Sequence, residues 1–248
     1  MQIFVINMEK SKDRREYIEK HLSEFGINFD FFDAVDGRAL SQEYIDSVFD
    51  KETAEREWKP MNRGEIGCSL SHMAIYEKMI KENIPQAIIF EDDIVLKEDF
   101  LPTVNALLKK VPTEIDIVKL GHGRAKFRWW QKSFDITEKY EIQRMYGLVA
   151  RVHAYFITLD GAKKILSKNQ PIIRALDDVT GDFIFGEHEL YCMNPPLVDF
   201  LDVESTIGYE DEEEKTNAVY LSINKRILVR HFGFSAQKFI EKKRRKEK

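Results

Sequence analysis

The sequence predicts an α/β fold with a central mixed sheet flanked by helices, and three observations carry that expectation. The chain opens with a strand-like apolar run at residues 3–6, followed at once by an amphipathic helical stretch. A second run, Ala87-Ile88-Ile89-Phe90, delivers the three consecutive carboxylates Glu91, Asp92 and Asp93. A third, at 152–159, leads directly into a Gly-Ala helix opening. Strand followed by helix, repeated along the chain, is the pattern of a layered α/β domain.

Size and composition agree with a folded domain. The 248 residues are 43% hydrophobic and 33% charged, with 17 Phe, 9 Tyr and 3 Trp, enough apolar and aromatic material for a large core. We expect one domain over 1–235, with a donor-binding half to about 123 and an acceptor and catalytic half from 124, then a basic tail at 236–248. The net charge is -5, yet residues 238–248 alone carry seven basic and two acidic side chains. The acidic body excludes a general nucleic-acid binder, while the tail suits an anionic membrane surface or a solubilising end. Cys68 and Cys192 have no metal-ligand spacing between them, and the start of the chain has no signal-peptide pattern. Together these features read as a reduced, cytoplasmic protein.

Taken in order, the first strand ends at Asn7, and Tyr17, Ile18, Leu22 and Phe25 mark a helix face that stops at Gly26. Residues 27–32 form an aromatic-rich strand leading to Phe32-Asp33-Ala34-Val35-Asp36-Gly37-Arg38. Asp36 is placed either to bind a nucleotide hydroxyl or base edge, or to close an Asx turn before Gly37. Residues 40–60 are polar, a short helix and a surface excursion. From Asn62, with Glu65 at capping-box spacing, Ile66, Leu70, Met73 and Ile80 predict a helix to about Lys81. On it Gly67 and Ser71 share a face, as do Cys68 and His72. Gly67 in the first turns points to a close approach by backbone or ligand. His72 is either a core histidine or a ligand.

The helix feeds the acidic strand. Adjacent carboxylates at the end of a buried strand repel unless donors or a cation compensate them. A hard divalent cation, Mn²⁺ or Mg²⁺, held there while gripping substrate phosphates is one solution; capping of the following turn is the other.

Residues 62–78 and 87–93, preceded by 32–38 and by Ile6-Asn7, resemble glycosyltransferase family 25. These are lipooligosaccharide-type glycosyltransferases of bacterial surface glycans, related to the collagen galactosyltransferases. The motifs occupy about the first 100 residues, in order. The resemblance implies a GT-A-like, Rossmann-type, inverting transferase that takes a UDP-sugar, usually UDP-galactose, to an oligosaccharide or lipid-linked saccharide acceptor. On that reading Asp93 anchors the metal, Glu91 and Asp92 orient donor or metal water, and Asn7, Asp36, Gly67 and Ser71 border the uridine.

Farther along, 100–111 reads as a helix and 115–120 as a strand closing at Gly121-His122-Gly123. Trp129 and Trp130 lie in an aromatic, basic stretch that suits sugar stacking or a local hydrophobic cluster. Tyr155, just before a helix that Asp160 is placed to cap, also resembles the family and joins them as an acceptor contact. In Ala175-Leu176-Asp177-Asp178, Asp177 falls on the acid of a family Pro-Val-Asp motif. It is our general base, with Asp178 and Asp182 as alternatives; Asp177 and Asp178 also suit a helix cap. His231, ending a late strand, is a second metal ligand by analogy with GT-A enzymes. A nucleotidyltransferase would want a phosphate-cradling Gly-rich loop after the first strand, and Asn7-Met8-Glu9-Lys10 is not one. A catalytically silent glycan-binding or scaffold protein on the same fold is the other alternative.

Overall fold

The computed structural model describes residues 1–122, 125, 127, 129–145, 149, 151–181 and 188–201. Asp182, His231 and the basic tail lie outside the described residues.

Eight strands form one mixed sheet in the order β2-β1-β3-β8-β5-β9-β7-β6. The apolar N-terminal run is β1 (Gln2–Asn7), flanked in parallel by β2 (Asp30–Asp33) and β3 (Gln86–Glu91). Next to β3 the direction reverses: β8 (Ala154–Thr158) runs antiparallel to both β3 and β5 (Ile117–Lys119). The far side is completed by β9 (Leu190–Asn194), β7 (Glu141–Arg144) and β6 (Ser133–Asp135). A separate ribbon pairs β4 (Ile94–Leu96) with β10 (Val198–Phe200). This is the expected α/β class, with a central mixed sheet.

The strand period of two divides the core. Ile3, Val5, Ile88, Phe90 and Phe156 point to one face, where they pack with Ile18 and Leu22 of α1 (Lys12–Glu24) and Phe100, Val104 and Leu107 of α5 (Phe100–Lys110). Phe4, Ile6, Ile89, Tyr155 and Ile157 point to the other, against α4 (Arg63–Glu82), α6 (Leu159–Asn169) and α7 (Leu176–Gly181). Burying both faces explains why β1 and β3 read as continuous apolar runs.

Several boundaries differ from expectation for local reasons. The excursion at 40–60 holds two short helices, α2 (Gln42–Val48) and α3 (Lys51–Glu57), capped by Ser41 and Asp50. Thr158, not Asp160, caps α6, accepting from the Gly161 amide at 3.1 Å. Ile80 is exposed, and Tyr76 and Met79 take the core side of α4. The Asn62–Glu65 capping box is fully formed.

Gly67 does pack against backbone, and its neighbour is the protein itself. A Cβ on Gly67 would lie 2.6 Å from the Gly37 nitrogen and 2.6 Å from the Val35 carbonyl oxygen; one on Gly37 would lie 1.8 Å from the Arg63 carbonyl oxygen. The loop after β2 and the first turns of α4 thus touch backbone to backbone. Because main chain has no rotamer with which to yield, Gly67→Ala should destabilise the fold by about 1–3 kcal/mol. The check is a lower urea midpoint at unchanged m-value.

Candidate functional site

The parallel strands β1, β2 and β3 end at Asn7, Asp33 and Glu91, while antiparallel β8 begins beside the end of β3. A cleft of about 610 Å³ opens at this edge, where ligands of open α/β sheets bind. Its walls include Ser11 and Arg14, the loop 34–38, Cys68, Ser71 and His72 of α4, the carboxylates Glu91, Asp92 and Asp93, Arg151 and His153, Asp177, and Phe200.

The three carboxylates divide between two sets of partners. Asp92 turns toward β1 and α1: its oxygens accept from Asn7 Nδ2 at 2.7 Å and from Arg14 at 3.1 Å. Burial pushes the Asp92 carboxyl up despite those bonds. Glu91 and Asp93 meet His153, whose Nδ1 stands 2.8 Å from Glu91 Oε2 and 2.9 Å from Asp93 Oδ1. Burial opposes the imidazolium, but these two carboxylates outweigh it and bring the pKa up to about 10. Glu91 is correspondingly held well below the usual range: its burial is overcome by His153 and then His72.

Glu91, Asp93 and His153 form a group whose ligand atoms all lie within 4.8 Å of one another. The imidazole Nδ1 stands between two carboxylates where a cation is compensated, and it can ligate a metal only once that nitrogen has given up its proton. Two oxygens and one nitrogen are donors that suit a divalent cation. The sequence reading missed His153. A titratable residue opening an otherwise apolar strand was the visible signal, but its place beside Glu91 depends on the antiparallel register of β8, in which the Glu91 amide bonds the His153 carbonyl.

Other expected site residues divide between wall and support. Asp36 lines the cleft while its carboxylate closes the turn, accepting from the Arg38 amide at 3.2 Å and pairing with Lys10. Ser71 also lines the cleft; its hydroxyl accepts from the Val35 amide at 2.8 Å and donates to the Gly67 carbonyl at 2.7 Å. Asn7 is buried as a strut under Asp92, and Gly67 is packed behind the wall. Asp177 lines the cleft from the first turn of α7, whereas buried Asp178 accepts from Trp58 Nε1 at 2.7 Å. Tyr155 is wholly buried, its hydroxyl 2.8 Å from His72 Nδ1 and 2.6 Å from that of Tyr76. That position rules out contact with an acceptor, because the strand directs the ring into the core. Trp129 and Trp130 are 91% and 58% exposed and are not in the cleft wall.

The family model described as glycosyltransferase family 25 (LPS biosynthesis protein) matches residues 1–180, which include every described side chain of the carboxylate cluster and Asp177. The chain belongs to glycosyltransferase family 25. Among curated relatives, a probable inactive glycosyltransferase 25 family member 3 from Bos taurus is 29% identical over 75% of this chain and 32% of its own length. Procollagen galactosyltransferase 1-A from Xenopus laevis is 29% identical over 71% of this chain and 29% of its own. A glycosyltransferase 25 family member from Anopheles gambiae is 31% identical over 70% and 30%. The chain thus spans about a third of the length of these relatives.

In this family 25 chain, the rear of the cleft is braced by a buried lysine. Lys119 Nζ donates to Thr180 Oγ1 and to the Arg151 carbonyl, both at 2.7 Å, joining β5 to α7 and to the segment before His153. Arg151 has φ 87°, a left-handed backbone uncommon outside glycine, and its guanidinium lies 4.2 Å from the centre of the Phe200 ring. The same ring stacks on His153 at 5.1 Å. Burial lowers the Lys119 pKa from 10.5 to about 8, against the pull of Cys192, Asp177 and other acidic groups. The unfolded chain therefore binds more protons between about pH 8 and 10.5, and folding gains stability as pH rises through that window. Across it, urea titrations should show wild type gaining up to about 3 kcal/mol relative to Lys119→Met. Parallel curves would refute the buried charge.

Proposed function

We propose that this chain transfers a hexose, galactose from UDP-galactose, onto the hydroxyl of a saccharide acceptor with inversion at the anomeric carbon. The observation that carries the reading is the juxtaposition of the Glu91–Asp93–His153 group with Asp177 on the walls of one cleft. The galactosyltransferase name of the Xenopus relative supports the choice of sugar. A lipooligosaccharide or lipopolysaccharide acceptor rests on the family's description.

The two sides of the cleft divide the work. Asp177 takes the proton of the acceptor hydroxyl as that oxygen bonds to the anomeric carbon, a general-base contribution of roughly 10²- to 10⁴-fold. On the donor side, the bond from the anomeric carbon to the diphosphate oxygen breaks and its electron pair leaves with the UDP. Glu91, Asp93 and His153, the last giving up its Nδ1 proton to solvent, would hold a divalent cation, which would compensate the diphosphate charge. Asp36 and Ser71, on the wall beyond β1 and β2, border the uridine.

One observation favours a silent glycan-binding module instead: the bovine relative is named a probable inactive member. UDP release from a panel of UDP-sugars, with saccharide acceptors and with or without Mn²⁺, separates the readings. We expect Mn²⁺-dependent turnover of UDP-galactose, with kcat reduced at least about 100-fold in Asp177→Asn and by a similar factor or more in Asp93→Asn. Metal-dependent UDP-sugar binding without turnover would support the silent module. Failure of every UDP-sugar to bind or turn over, with acceptors and Mn²⁺ or Mg²⁺ present, would overturn the transferase reading and leave the silent module ahead.

A further inference from the structure

The two oxygens of Glu91 face different surroundings. Oε2 meets His153, whereas Oε1 faces α4, 3.5 Å from His72 Nε2 and 4.0 Å from Cys68 Sγ. Cys68 and His72 are four residues apart on a helix, so their side chains project from one face toward the strand end. His72 is 1% exposed, and its Nε2 makes no hydrogen bond among the described residues. An unpaired buried nitrogen aimed at a carboxylate is costly and needs a physical reason.

We propose that Cys68, His72 and Glu91 Oε1 form a second metal site, selective for a borderline-soft divalent cation such as Zn²⁺ and distinct from the Glu91–Asp93–His153 group. Their ligand atoms lie within 4.8 Å of one another. Tetrahedral zinc, with bonds of roughly 2.0–2.3 Å, separates its donors by roughly 3.4–3.6 Å. The His72–Glu91 separation of 3.5 Å already matches, and the Cys68–Glu91 separation of 4.0 Å would close by a few tenths of an ångström. One sulfur, one nitrogen and one oxygen make a zinc-type donor set, unlike the harder group across Glu91. All three residues line the cleft, so a fourth coordination position opens toward it. On binding, the Cys68 S–H bond is replaced by a sulfur–metal bond, and the proton passes to solvent.

Cobalt reports this geometry without reference to catalysis. The full chain, stripped with a chelator, is titrated with Co²⁺ while the thiolate-to-cobalt charge-transfer absorption is followed. We expect the band to appear, to be displaced by Zn²⁺, to vanish in Cys68→Ser, and to require at least about 100-fold more Co²⁺ in His72→Gln. His153→Gln and Cys192→Ser should retain it. No band in wild type overturns the site, as does a band that survives Cys68→Ser or is lost in Cys192→Ser. The last control keeps the test decisive should Cys68→Ser not fold.

Discussion

Three negative charges delivered together at the end of β3 impose the constraint around which this edge is arranged. Consecutive carboxylates can remain close in a partly buried position only when donors or cations compensate them. Asp92 finds it in Asn7 and Arg14, tying the end of β1 and the first helix to the strand. Glu91 and Asp93 share His153 at the start of β8. One electrostatic problem therefore draws three separate elements to a common point. Removing a partner from this partly buried set would leave a desolvated charge uncompensated, so the charge cluster is as much an architectural element as a chemical one.

The opposite wall depends on contact without side chains. Glycines at 37 and 67 let the loop after β2 lie directly on α4, and Ser71 fastens the loop through the Val35 amide. This fixes the rotation of α4 about its axis. With that rotation set, Cys68, Ser71 and His72 all reach the cleft while Ile66, Met73, Tyr76 and Met79 enter the core. The helix is amphipathic in two senses, apolar toward the sheet and chemically functional toward the strand ends.

What could be read from the sequence follows from the range of the interactions involved. Apolar periodicity and caps are local, and they revealed β1, α4, β3 and α5 nearly to their ends. The acidic triplet and Asp177 were also legible, because unusual charge beside apolar runs stands out in one dimension. His153 was not, since its meaning arises from pairing with a strand some sixty residues earlier. Residues 188–201, where the sequence suggested no element, supply β9 and β10. The sequence placed Tyr155 as an acceptor contact and Asp178 as an alternative base or helix cap, and only the direction of β8 and the turn of α7 assign both to the interior.

The polar chain behind His72 bears on how Glu91 can serve both its neighbours. Tyr155 and Tyr76 present hydroxyls in series behind the imidazole, with Tyr155 bonded to His72 Nδ1. Burial keeps His72 neutral by lowering its pKa, despite the opposing influence of Glu91. If Nδ1 carries the proton and donates it to Tyr155, the Nε2 lone pair is turned toward Glu91 Oε1. Two electron-rich atoms then face one another in a buried place, an arrangement relieved by a cation between them. In the other tautomer Nε2–H faces Glu91 Oε1 across a long 3.5 Å contact. Either way the separation of His72 and Glu91 is set by the placement of α4 against β3, which the glycine contact and the packed tyrosines hold fixed.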